Sequence, residues 1–199
     1  MPKAPKLPKA PSLVIIAGGS GSGKTTLALA LAERHPDWTV VHLDNYQRPT
    51  AHIPKIGRWT NWDHPNAIDF NALIFDLKAL MRGLEIRVKV RSQETQTNRF
   101  HTETLRPGPI ILLEGFLALW HPGIREMASY SIFLEAPHDV RMQRRRWKKN
   151  PAYVEKVYLP MFQEHLEPTK VHASVVLDTE ERDADMLLRA VEFLLKPSL

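Results

Sequence analysis

Cysteine is absent from the 199-residue chain. Its absence excludes disulfides, catalysis by a thiolate and zinc sites built on cysteine. No apolar stretch approaches the roughly 20 residues that a membrane-spanning helix needs. The N-terminus also lacks the apolar run of a secretory signal peptide. We therefore expect a cytoplasmic protein with no membrane partner.

Internal repeats and interdomain linkers are also missing, and the length suits one domain. Residues 1–11 form a tail rich in proline and lysine, which we expect to be disordered. Residues 12–199 are then expected to form a single α/β domain.

The most informative motif is Gly18-Gly19-Ser20-Gly21-Ser22-Gly23-Lys24-Thr25, which fits G-x-x-x-x-G-K-[ST]. An apolar run precedes it, and a helix-forming run that starts at Thr26 follows. Such a loop turns backbone N–H groups around a phosphate chain at a helix N-terminus. Lys24 would bridge the outer phosphates and act in catalysis, and the Thr25 hydroxyl would ligate Mg²⁺. The motif thus predicts that residues 18–26 bind a nucleoside triphosphate, with ATP as the expected donor.

The formal net charge of +5 comes largely from two places. Lysines of the tail supply part of it, and five positive charges fall between Arg144 and Lys149. Basic clusters often indicate nucleic-acid binding. Here a phosphate-binding site accounts for the second cluster, so we expect no nucleic-acid partner.

Strands and helices alternate along the chain. Predicted strands cover 13–17, 39–43, 110–113, 131–134 and 173–177. Predicted helices cover 24–34, 70–81, 137–149, 153–165 with an interruption near Pro160, and 184–195. Residues 85–91 alternate apolar and charged side chains and predict a small β-ribbon with residues 102–105. The fold class is therefore α/β, a parallel sheet with helices on both faces plus this ribbon.

Acidic residues follow two of the predicted sheet strands. Asp44 ends one and could position an acceptor hydroxyl and take its proton; alternatively it opens a turn or ligates Mg²⁺. Glu114 follows four aliphatic residues, as in a Walker-B element that holds Mg²⁺, or it is a structural carboxylate. Ligands of parallel sheets bind beyond the carboxyl ends of the strands, where both residues and the glycine-rich loop are expected.

Basic residues crowd the helix expected after Pro137. Arg141, Arg144 and Arg145 could clamp a transferring phosphoryl group. The alternative is a solvated basic surface, which suits Arg146 and Lys149 better. The histidines show no metal-ligand spacing, and we interpret His42 and His172 as packing or surface residues.

Taken together, these motifs resemble the uridine kinase family. The resemblance covers about residues 12–180 and is carried by the glycine-rich loop and five further segments, namely 44–46, 61–69, 113–119, 139–145 and 167–170. That family belongs to a wider group of P-loop small-molecule kinases with phosphoribulokinase, pantothenate kinase and nicotinamide riboside kinase. The stretch around Asp63-His64-Pro65 is specific to this group.

The resemblance implies a P-loop NTPase fold with a helical lid. It implies that Asp44 is the base facing a sugar 5′-hydroxyl, that Asp63 holds the ribose hydroxyls and that Tyr46 lies among the substrate-binding residues. Thr25 and Glu114, with Asp44, would serve Mg²⁺. The lid helix would carry Arg141, Arg144 and Arg145. Without the resemblance, Asp63 would be read as an Asx turn before Pro65.

Two departures bear on the acceptor. The family's pyrimidine-contacting Tyr and His align, without gaps back from Glu114, with Arg91 and Gln96, and the Arg of its His-Ser-Arg run aligns with Asn98. The lid segment is also shorter than in that family. A polar ribbon with Arg91 and Gln96 could recognise another polar acceptor, one with a carboxylate or phosphate.

We therefore expect an ATP- and Mg²⁺-dependent kinase acting on a primary hydroxyl of a nucleoside, uridine- or cytidine-like, or of a related small polar metabolite. One alternative is another acceptor in the same superfamily, such as pantothenate, nicotinamide riboside or a sugar. A second is a regulatory protein that hydrolyses nucleotide slowly. Relatives are often oligomeric, so a homo-oligomer is expected as one of the states the chain could adopt.

Overall fold

Residues 10–91, 100–144, 150–180 and 184–195 are described by the computed structural model of the chain. The predicted tail lies outside these ranges up to residue 9. Two predicted site residues, Gln96 and Arg145, also lie outside them, as does Asn98. For Arg91 the ranges include the backbone only.

Five parallel strands form the central sheet, in the order β2-β7-β1-β8-β9. Their bounds are β1 Ser12–Gly18, β2 Thr39–His42, β7 Ile110–Gly115, β8 Ala128–Glu135 and β9 Val175–Asp178. The remaining strands pair as two antiparallel hairpins, β3 Lys55–Ile56 with β4 Trp59–Thr60 and β5 Ile86–Arg91 with β6 Phe100–Leu105. The predicted fold class, including the ribbon, is confirmed.

Helices lie on both sides of this sheet. Their bounds are α1 Lys24–Arg34, α2 Phe70–Met81, α3 Pro122–Arg125, α4 His138–Arg144, α5 Pro151–Tyr153, α6 Leu159–Met161 and α7 Ala184–Leu195. The predicted interruption near Pro160 is a change in hydrogen bonding, because the backbone stays helical from α5 onward. Stretches of π-helix, Val154–Tyr158 and Phe162–Leu166, flank α6. A 3₁₀ segment, Glu167–His172, closes this region.

Alternate residues of β1 point into two different cores, as the two-residue period of a strand requires. Leu13 and Ile15 enter the core beneath α2, whereas Val14 and Ile16 enter the core beneath α1 and α7. All four side chains are fully buried. The sheet is thus covered on both faces, which leaves the carboxyl ends of its strands as the open edge.

Local sequence sets the helix boundaries. The side chain of Asp69 caps α2 by accepting a hydrogen bond from the Ala72 N–H at 3.2 Å. Gly83, at φ 81°, follows its last turn in the left-handed conformation that commonly ends helices. No helix within the described residues is long and apolar enough to span a bilayer.

Candidate active site

The glycine-rich loop joins β1 to α1 and packs tightly against α4. Gly21 has φ 86°, and a Cβ there would overlap the backbone carbonyl of Arg141. A Cβ on Gly19 would overlap the Arg141 guanidinium. Gly21 therefore requires glycine because of the turn and of a specific neighbour, whereas Gly19 requires it because of the neighbour alone.

One cavity of about 410 Å³ lies above this loop at the carboxyl edge of the sheet. Six residues of the predicted nucleotide site line it, namely Ser20, Gly21, Gly23, Lys24, Thr25 and Thr26. Three residues of the predicted acceptor and metal sites also line it, namely Asp44, Asp63 and Glu114. Gly18, Gly19 and Ser22 do not line it, and Ser22 is fully buried. The structure thus brings the loop and the three predicted carboxylates to one place.

Lys24 and Thr25 begin α1 on the floor of this cavity. Lys24 is nearly buried, and its Nζ donates to the Gly19 carbonyl at 3.1 Å, so the ammonium is held over the loop. The Thr25 hydroxyl donates to Glu114 Oε2 at 3.1 Å. The helix N-terminus and the ammonium give the floor of the cavity a positive potential suited to phosphate.

Glu114 is held at both carboxylate oxygens. Oε2 accepts from Thr25, and Oε1 lies 2.7 Å from His42 Nδ1. Burial alone would raise the pKa of Glu114, but the His42 hydrogen bond, Lys24 and Thr25 outweigh it and the pKa lies below its usual value. The same hydrogen bond raises the pKa of His42 against the opposing effect of burial. Our interpretation of His42 as a packing or surface residue missed this pair.

Asp44 lies in a 3₁₀ turn, Leu43–Tyr46, directly after β2. Asp44 lines the cavity and is exposed toward it. Desolvation by the protein around the cavity, and then the negative charge of Glu114, raise the pKa of Asp44, while Lys24 acts in the opposite direction. A carboxylate of raised pKa is a better proton acceptor than an ordinary aspartate.

Asp63 is buried, lines the same cavity and is hydrogen-bonded to α5. Its Oδ2 accepts from the Tyr153 hydroxyl at 2.8 Å, and Tyr153 packs edge-on against Trp59 of the β3–β4 hairpin. Trp62 and Gln47 also line the cavity nearby. No sequence pattern indicated Tyr153, because the contact joins residues 90 positions apart.

The two described arginines of α4 point in different directions. Arg144 lines the cavity and donates to the Thr179 hydroxyl and carbonyl at 3.1 and 2.8 Å. Arg141 is 5% exposed and does not line it. Its Nε donates to the Ala136 carbonyl at 3.0 Å.

Arg141 is further held by aromatic residues. Its Nη1 donates to the Tyr158 hydroxyl, and its guanidinium stacks 4.4 Å from the Phe162 ring centroid. The same Tyr158 oxygen accepts the Ser20 N–H of the glycine-rich loop at 3.1 Å. Arg141 therefore fastens α4 to the back of the loop.

The remaining predicted substrate residue within the described ranges is turned away from the cavity. Tyr46 belongs to the core beneath α2, and its hydroxyl donates to Asp76 Oδ2 at 2.9 Å. Burial, with help from Asp76, raises its pKa. Tyr46 thus anchors the turn that carries Asp44 in the core beneath α2.

The oxygen donors of the cavity fit Mg²⁺. A threonine hydroxyl and carboxylates are the hard ligands that this ion takes, usually completed by phosphate oxygens and water. Within the described residues no group of three or more His, Asp or Glu side chains could hold a metal by itself. The donors are therefore of the kind that bind the ion jointly with a nucleotide.

Comparison with known proteins gives a consistent result. The family model described as "Phosphoribulokinase / Uridine kinase family" matches residues 13–150. The chain is 36% identical over 180 residues to a uridine kinase of Deinococcus deserti, covering 84% of this chain and 87% of that protein. It is 32% identical over 203 residues to a uridine kinase of Chloroflexus aurantiacus, covering 94% and 97%.

Solved structures agree on the fold. A structure described as a possible uridine kinase from Bacillus stearothermophilus superposes with a TM-score of 0.61 at 22% identity, covering 85% of this chain and 90% of that one. Phosphoribulokinase from Rhodobacter spheroides superposes with a TM-score of 0.64 at 9% identity, covering 85% and 70%. The chain belongs to the phosphoribulokinase/uridine kinase family of P-loop kinases.

Proposed function

We propose that this kinase transfers the γ-phosphoryl group of ATP, with Mg²⁺, to a primary hydroxyl of a nucleoside or a related small polar metabolite. One observation carries the proposal: a single cavity is lined both by the phosphate-binding loop and by Asp44 and Asp63. Phosphoryl transfer is catalysed mainly by positioning and electrostatic stabilisation, so donor and acceptor groups must meet in one space. The uridine kinases among the relatives support the nucleoside class.

In this proposal each side chain has a defined task. Lys24 and the loop N–H groups bind the phosphates, and Arg144 faces them from α4. Asp44 orients the acceptor hydroxyl and receives its proton at the carboxylate, and Asp63 binds further hydroxyls of the acceptor. Mg²⁺, held by Thr25 and Glu114, would neutralise charge on the β- and γ-phosphate oxygens.

The substitution Asp44→Asn tests the acceptor side. Acceptor-dependent ADP production should fall by about 10²-fold or more, because the amide cannot take the proton. Affinity for ADP measured by calorimetry should stay close to that of the wild type. A matched control is Asp178→Asn, since Asp178 ends β9 of the same sheet and does not line the cavity. Unchanged turnover in Asp44→Asn would overturn the role of this residue.

A screen of acceptors tests the substrate class. ADP production should rise with uridine- or cytidine-like nucleosides more than with pantothenate, nicotinamide riboside or sugars at equal concentration. A stronger response to pantothenate, nicotinamide riboside or a sugar would move the acceptor elsewhere in the superfamily. Slow ATP hydrolysis that no acceptor accelerates would contradict kinase activity and favour a regulatory protein.

A further inference from the structure

His42 ends the edge strand β2 directly beside the candidate metal ligand. It lies in register with Glu114 on the neighbouring strand β7, so the two side chains leave the sheet on the same face. The His42 Nδ1 to Glu114 Oε1 distance is 2.7 Å. The Glu114 side chain is 8% exposed and that of His42 is 31% exposed, so the histidine covers the carboxylate from the solvent side.

The second oxygen of Glu114 is bonded on the other side of the carboxylate. Oε2 accepts from the Thr25 hydroxyl at 3.1 Å. A carboxylate that is bonded at one oxygen still turns about its last torsion, whereas bonds at both oxygens fix its plane. His42 therefore determines which way Oε2 faces, although it does not itself line the cavity.

We propose that His42 is a positioning residue that orients Glu114 for Mg²⁺ bound jointly with the nucleotide. This inference rests on the proposed function, because it assigns Glu114 to the metal. Groups that hydrogen-bond to metal ligands fix the ligand geometry, and their loss typically costs about 10–100-fold in metal affinity or activity. A purely structural His–Glu pair would instead contribute to stability alone.

The test exploits the position of the donor atom within the side chain. In His42→Asn the amide nitrogen occupies the place of Nδ1 and can still donate to Glu114. In His42→Gln the nitrogen is displaced toward the place of Nε2, and in His42→Leu it is absent. Mn²⁺ serves as the probe, and its binding to the enzyme–ADP complex is followed by electron paramagnetic resonance without acceptor, so that no turnover occurs.

We expect Mn²⁺ affinity to fall by about tenfold or more in His42→Leu and His42→Gln and to stay within about threefold of the wild type in His42→Asn. Under turnover the Leu variant should need more Mg²⁺ for half-maximal rate, with the acceptor KM unchanged. His35→Leu is the matched control. It removes another His–Glu pair, with His35 Nε2 3.1 Å from Glu192 Oε1, at the far end of α1.

The outcomes separate the inference from its premise. If the wild-type ADP complex binds Mn²⁺ and the Leu variant binds it equally well, the positioning role is wrong and the proposed function stands. If the wild type shows no ADP-dependent Mn²⁺ binding, the proposed function fails. Should the Leu variant not fold, equal affinities of the Asn and Gln variants would contradict the inference.

Discussion

Tyr158→Phe removes one oxygen atom that serves two parts of the molecule. Tyr158 is fully buried, and its hydroxyl accepts from Arg141 and from the Ser20 N–H. A hydrogen bond with a charged group contributes about 1.5–3 kcal/mol and a neutral one about 1 kcal/mol, so the variant should lose about 2–4 kcal/mol. For a domain of this size that corresponds to a fall in Tm of about 5–15 °C.

The same variant should also weaken nucleotide binding. Ser20 belongs to the loop that lines the cavity, and in this variant its N–H loses the hydrogen bond to the Tyr158 hydroxyl that helps to fix the loop. We expect ADP affinity, measured by calorimetry, to fall severalfold together with the Tm. Val157→Ala is the control: it removes fully buried methyl groups from the same helical segment, at about 2 kcal/mol, and touches no loop hydrogen bond.

Two results would refute this reasoning. A Tm change in Tyr158→Phe below about 2 °C would mean that the hydroxyl contributes nothing measurable to folding. Equal losses of ADP affinity in Tyr158→Phe and Val157→Ala would mean that affinity follows global stability, not the contact with the loop.

Three further predictions concern other contacts. Burial, and then the neighbouring His165, lower the pKa of His64 below 6.5, and its neutral Nδ1 accepts a hydrogen bond that caps a turn. Because the unfolded chain binds the proton more readily than the folded protein, stability should fall as the pH drops below about 6.5. His64→Asn can still cap the turn but does not titrate, so the Tm of this variant should depend less on pH. Tyr153→Phe removes one buried hydrogen bond to the Asp63 carboxylate, so the acceptor KM should rise about tenfold while the ATP KM stays unchanged. Equal rises in the two KM values would contradict this role of Tyr153. In Gly115→Ala the new methyl overlaps the Leu43 side chain, which should cost about 1–3 kcal/mol and slow acceptor turnover. A Tm and an acceptor turnover equal to those of the wild type would contradict the overlap.

Much of the fold could be predicted because it depends on local pattern. The bounds of α1 were predicted to the residue, and residues 184–195 were correctly predicted to be helical, since each helix has an apolar face. The parallel sheet followed from the alternation of strands and helices. Asp44, just after β2, and Glu114, in β7, could be placed near the loop because carboxyl strand ends share one edge of a parallel sheet.

Contacts between distant segments could not be predicted in this way. Helical spacing placed Arg141 and Arg144 on one helix but did not show that Arg141 turns inward against the glycine-rich loop. His42 carried a weak signal, a polar residue within the apolar strand β2, whose meaning depends on the register with β7. The ribbon hypothesis stays a prediction, since the Arg91 side chain and Gln96 lie outside the described residues.

The π-helical stretch that follows α5 places two tyrosine rings in a way that an α-helix would not. In an α-helix, residues five apart differ by about 140° around the axis, so Tyr153 and Tyr158 would face different directions. The π-helical stretch Val154–Tyr158, with hydrogen bonds spanning five residues, brings both rings to the same side. One turn of backbone therefore reaches Asp63 with one phenol and the back of the glycine-rich loop with the other. Deleting a single residue there would restore α-helical spacing and turn the two rings apart without altering any residue that lines the cavity.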